Sequence, residues 1–104
     1  MPNNAFGANH MRRLGKYQRR VLDGMYDNAV SFERHGMDPL EASVTRFELY
    51  TSRTSLLHLA THEADAVMER LALRGIIRRT QVGWALAKPT FDYLNETPRG
   101  QRYR

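Results

Sequence analysis

The chain has no cysteine among its 104 residues. That excludes a disulfide framework, a zinc–thiolate site and a thiol nucleophile, and it fits a reducing, cytoplasmic setting. No stretch approaches the roughly 18 uninterrupted apolar residues that a membrane span needs. The opening residues MPNNAFGANH lack the charged start and apolar centre of an export signal, and they read as a frayed tail over 1–11. Also missing are a glycine-rich phosphate loop, a G-x-S-x-G elbow and a carboxylate pair in a metal-ligand context. His35, Asp38 and Ser43 are scattered without a constellation. Neither an enzyme nor a cofactor is expected.

What is present is an ordinary soluble composition with an uneven charge. Apolar residues make up 41% and charged residues 26%, values that suit one globular domain and not a disordered chain. The net charge is +5. Residues 1–36 hold six basic against three acidic side chains, residues 37–74 four against six, and residues 75–104 six against two. A polyanionic partner would therefore meet mainly the two ends.

Periodicity supplies the elements. Leu14, Tyr17, Val21, Met25, Ala29 and Phe32 recur every three or four residues and predict a first helix over about 12–34, stopped by Gly36. Gly15 weakens its beginning, so the start can slip to Lys16. In DPLE, Asp38 suits an N-cap, Pro39 the first helical position and Glu41 a capping box. These predict a second helix ending near Thr51, with Leu40, Val44 and Phe47 on its buried face. Leu57, Ala60, Ala64, Val67, Met68 and Leu71 predict a third over about 54–74, ended by Gly75. Ser52 could cap it, or a separate helix could begin near Thr61; the spacing leaves both open.

After Gly75 the period changes. IIRRT and WALA, separated by QVG, predict a hairpin in which Trp84 and Leu86 share a face, while Ile77 and Arg79 oppose Ile76 and Arg78. Phe91 and Leu94 then give a short fourth helix, and 97–104 reads as a loose basic tail. The expected class is mainly α with a small β-hairpin, with the domain spanning 12–96.

In this order the chain resembles the winged helix-turn-helix superfamily. VMERLALRGIIRR resembles the end of a recognition helix entering the first wing strand, and GWALAKPTFDYL the returning strand and the helix after it. The resemblance implies three helices, a two-stranded wing and a short C-terminal helix. It also implies binding of double-stranded DNA, with a helix in the major groove and the wing on the adjacent backbone. Arg78, Arg79 and Lys88 would then be wing phosphate contacts, and Arg70 and Arg74 would reach phosphates from the last turns of the third helix. Arg53, Ser55, His58 and His62 are the polar candidates near its start. The compact size suggests a repressor or accessory factor of the kind phages and plasmids encode, acting as a homodimer.

Two further readings come from the residues themselves. Arg12, Arg13, Lys16, Arg19 and Arg20 crowd the start of the first helix, where the dipole disfavours cations, and so suggest an anionic partner. This helix and the wing are expected to carry more affinity than Arg70 and Arg74. Against base reading stand Glu63, Asp65 and Glu69 on the third helix, which would suit an adaptor docking a basic protein. His58 and His62 have the spacing of a zinc pair, yet no third ligand accompanies them, and no metal is expected. Tyr17, Tyr26, Phe32, Phe91 and Tyr93 are read as core, with a share of them available to a dimer interface.

Overall fold

A computed structural model describes residues 7–45 and 61–104. Helix α1 (Ala8–Met11) is a single turn. Helix α2 (Lys16–Arg34) follows, with the Gln18 side chain reaching back to accept the Gly15 N–H at 2.8 Å. Its buried stripe of Val21, Leu22, Met25 and Ala29 recurs at the predicted spacing, because only one face of a 3.6-residue helix can meet a core. Each large side chain so buried contributes about 1.5–3 kcal/mol. Phe32, Tyr17 and Tyr26 pack partly buried against the same cluster.

The segment after α2 departs from expectation. Asp38 does cap, accepting the Leu40 N–H at 2.9 Å, but the turn it starts is a three-residue 3-10 turn, Pro39–Glu41. Ala42 is already extended, and strand β1 (Val44–Thr45) follows where the second helix was expected to continue. The cap signal is local, whereas the β-branched Val44 and Thr45 gain backbone partners from a strand far along the chain. Phe47 and the residues up to Thr51 lie outside the described part. So does the choice between one long third helix and a break before Thr61, which rests on Ser52, Leu57 and Ala60.

Helix α3 (Thr61–Leu73) buries Ala64, Met68 and Leu71. It stops at Gly75 through a paired set of bonds, Gly75 N–H to the Ala72 carbonyl and Ile76 N–H to the Leu71 carbonyl. Gly75 sits at φ +74°, a left-handed conformation that side-chain-bearing residues resist. Strands β2 (Ile77–Arg79) and β3 (Gly83–Leu86) form the hairpin, and helix α4 (Lys88–Glu96) follows.

The sheet has three strands in the order β1-β3-β2, all antiparallel, rather than the two expected of the hairpin alone. Register Ile77↔Leu86, Arg79↔Trp84 and Val44↔Trp84 puts these residues on one face, since paired residues project to the same side. Trp84 and Leu86 share the core as predicted. Ile76 is buried as well as Ile77, because it precedes the strand and seats beneath the end of α3. Thr80 ties the turn together: its hydroxyl accepts from Gly83 N–H at 3.1 Å and from the Ser43 hydroxyl at 3.0 Å.

Two segments expected to be loose are packed. Met11 is fully buried, with Leu14, in the core. The segment after α4 is no loose tail. A 3-10 turn (Arg99–Gln101) leads to Arg102, which is 5% exposed and donates to Asp23 of α2 at 2.8 Å. The Tyr93 hydroxyl donates to the Arg102 carbonyl at 3.0 Å, and the Arg102 guanidinium lies 4.7 Å over the Tyr26 ring. Tyr26 in turn tilts against Phe91, ring centroids 5.8 Å apart.

Candidate nucleic-acid interface

The docked C-terminus and the buried N-terminal turn bring basic residues from both ends of the chain onto one side of α2. Arg12 and Arg13, displayed between the buried Met11 and Leu14, face Arg74 from the last turn before Gly75. Arg74 is held there by donating to the His10 carbonyl at 2.8 Å. One helical turn earlier, Arg70 lines a groove with Lys16, Tyr17, Gln18 and Glu63. Lys16 also borders a hollow with Arg19, Arg20, Arg99 and Tyr103. Arg12, Arg13, Arg74, Arg70, Lys16, Arg19, Arg20 and Arg99 thus border three neighbouring hollows that together make a basic belt, with Glu63 and Asp23 as the carboxylates that line it.

The cations differ in what already neutralises them. Among the described residues, no carboxylate pairs with Arg12, Arg13, Lys16, Arg19, Arg20, Arg70 or Arg74. Lys16 and Arg20 lean over the Tyr17 ring at 5.1 and 5.9 Å, which orients them without cancelling their charge. Asp23, which lines the same hollow as Lys16, Arg19 and Arg20, is occupied by Arg102 and Tyr103. Burial foremost, then the hydrogen bond to Asp23 and its negative charge, pushes the Tyr103 hydroxyl well above the ordinary tyrosine value. It therefore stays a neutral donor across the physiological range.

The cations of the hairpin and of the start of α4 are engaged. Arg79 is ion-paired with Glu69 of α3, and Arg78 crosses its strand to donate to the Leu40 carbonyl. Lys88 pairs with Asp92 at 2.8 Å, and that hydrogen bond, with the carboxylate's charge, raises its pKa. Arg99 is more loosely paired, 3.3 Å from Asp27. Arg53, Ser55 and His58 lie outside the described residues. His62 is exposed, 3.9 Å from Glu63.

Two of the α3 carboxylates lie apart: Glu63 faces the groove beside Lys16 and Arg70, while Glu69 is ion-paired with Arg79 of β2. The outermost apolar residue of the helix is Leu73, 87% exposed next to Arg78 and Arg79.

Asn9 beside Arg74, and the placement of Arg99 beside Lys16, had no local signal in the sequence. Each depends on a contact between distant segments. No protein-family model, curated protein or solved structure matches this chain.

Proposed function

We propose that the chain is a small DNA-binding regulator that holds double-stranded DNA through backbone phosphates on the basic belt. The observation that carries this reading is the convergence of arginines and a lysine from Arg12 to Arg20 with Arg70 and Arg74, none of which has a carboxylate partner among the described residues. Cations left without carboxylate partners repel one another, and a polyanion relieves that repulsion while releasing its condensed counterions. The order helix, strand, helix, hairpin and helix is compatible with a winged helix, in which α3 would lie toward the groove. The belt flanks α3, so phosphate contacts along it would orient the exposed side of α3, including His62, toward base edges.

Wing contacts by Arg78, Arg79 and Lys88 take a smaller part in this reading, because each cation must exchange an internal partner for a phosphate. A homodimer would present two belts to two half-sites about one helical turn apart. No cofactor enters the proposal.

The test is a fluorescence-anisotropy titration of the full chain against a labelled duplex at several salt concentrations. Neutralising about five phosphates would make log K fall with log salt at a slope near −4.5, from ~0.9 per phosphate. Absence of binding to any duplex at low salt would overturn the reading. A competition series with unrelated duplexes then separates operator recognition from general affinity.

A further inference from the structure

The belt is not uniform. At one end Asn9, Arg12, Arg13 and Arg74 surround an open cleft of about 440 Å³ whose lining contains no carboxylate and no aromatic ring. Three guanidinium groups from two separate segments border it. Arg74 is fixed by the His10 carbonyl through one Nη, which leaves its other N–H groups available. Arg13 adopts φ +64°, the left-handed region in which a β-carbon is unfavourable. Glycine or asparagine is the usual occupant of such a position, and no hydrogen bond of the Arg13 side chain within the described residues accounts for an arginine there. The flanking Met11 and Leu14 are both buried, so the core holds the backbone in this shape and displays the side chain at the cleft.

We propose that this cleft is a built site for a single phosphate group, gripped by Arg12, Arg13 and Arg74. On DNA, it would fix the position of one backbone phosphate and so set the register of the protein. The second statement rests on the DNA-binding reading above; the first does not. Arginine suits the role because its planar fork can give two parallel N–H···O bonds to one phosphate, whereas lysine offers a point charge. The lack of an aromatic wall means that no base is stacked here, so the recognised group is the phosphate itself. Three positive charges at one cleft favour an anion there. Their mutual repulsion is uncompensated within the described residues, while a doubly hydrogen-bonded oxyanion would offset it.

The experiment uses the full-length chain labelled with nitrogen-15. Arginine Nε–Hε and backbone amide resonances are followed during titration with sodium phosphate, and in parallel with sodium chloride at equal ionic strength. Saturable shifts centred on Arg12, Arg13 and Arg74 with phosphate alone are expected. Shifts of equal size with chloride, or no saturation, would overturn the site.

Arg13→Gly is the informative variant, since it relieves the backbone while removing one guanidinium. It should unfold at higher temperature than the parent and bind phosphate about tenfold more weakly, the loss of one charge-assisted contact. Undiminished phosphate binding by this variant would show Arg13 to be structural only and sink the proposal. Arg74→Lys keeps the charge and should also weaken phosphate binding, while Arg34→Ala, at the far end of α2, should leave it unchanged.

Duplex binding forms the second arm. Phosphate should displace labelled duplex more effectively than chloride at equal ionic strength, and Arg13→Gly should remove that difference. If the parent binds phosphate saturably but no duplex, the site stands and the DNA reading falls. If it binds duplex but phosphate competes no better than chloride, the register role is overturned.

Discussion

Arg102 and Tyr103 converge on a single oxygen of Asp23: the guanidinium Nη1 lies 2.8 Å from Oδ1 and the tyrosine hydroxyl 2.7 Å from it. One carboxylate on α2 thereby anchors the last residues of the chain, across 79 and 80 positions of sequence. Arg102→Ala should cost about 2–4 kcal/mol, because it leaves a partly enclosed carboxylate with one donor fewer and removes the cation from the Tyr26 ring. Arg102→Met, which restores packing without charge, should recover part of that loss. Urea midpoints of the three proteins decide the matter, and an unchanged midpoint for Arg102→Ala would show that the docked end adds nothing.

Tyr103 makes the same contact sensitive to alkali. Its pKa is raised in the folded chain, by burial first and by Asp23 second. The folded form therefore keeps a proton that the unfolded form releases near the ordinary value of 10.0. Stability from this group is fully present below about pH 10 and declines as pH rises further. Tyr103→Phe should be less stable at pH 8, yet lose stability less steeply than the parent above pH 10. Parallel slopes in chemical denaturation across that range would contradict this account.

Gly83 marks a close approach of two strands. A β-carbon there would fall on the backbone carbonyl of Val44, with Thr45 Cα also within contact distance. Backbone cannot swing aside as a side chain can, so Gly83→Ala should cost at least about 2 kcal/mol. The loss should be concentrated between β1 and β3. Amide exchange at Val44, which pairs with Trp84 of β3, should accelerate more than at Arg78, whose strand pairs on the other side of β3; equal acceleration would point to global unfolding instead.

The pairing pattern of the cations predicts an order of effects on duplex binding. Lys16→Ala, Arg20→Ala and Arg70→Ala should each reduce the salt-dependence slope by about 1. Arg79→Ala should have less effect, because Glu69 already neutralises that side chain. If Arg79→Ala matches Arg70→Ala in affinity and slope, the wing and not the belt is the main phosphate surface.

Much of this arrangement was legible in the sequence where the signal is local. The stripe from Tyr17 to Phe32, the stop at Gly75 and the change of period after it fall where the helix and hairpin lie, whereas Leu14 is buried from the turn before the helix. The strand at Val44 was hidden because Asp38 and Pro39 give a genuine helix-start signal, and Leu40 and Val44 happen to be four residues apart. Pairing with Trp84 outweighed both, and nothing between positions 38 and 51 announces it. Charge had the same limit. Composition located the cations, but only the folded chain distinguishes Arg79, tied to Glu69, from Arg70 in its open groove. It likewise turns Arg74 from a minor candidate into the neighbour of Arg12 and Arg13.

The strand order β1-β3-β2 has a consequence for how the chain folds. Ile77 and Leu86 are nine residues apart and can meet as soon as the turn at Thr80 forms, whereas Val44 must find Trp84 across forty. Closing that larger loop costs more entropy and becomes favourable only once α2 and α3 have gathered the core on which β1 rests. The β2–β3 pairing is thus the local one, and the two residues of β1 join it only with the core in place. Protection of the Val44 amide then follows the assembly of that core, though its strand is the shortest in the sheet.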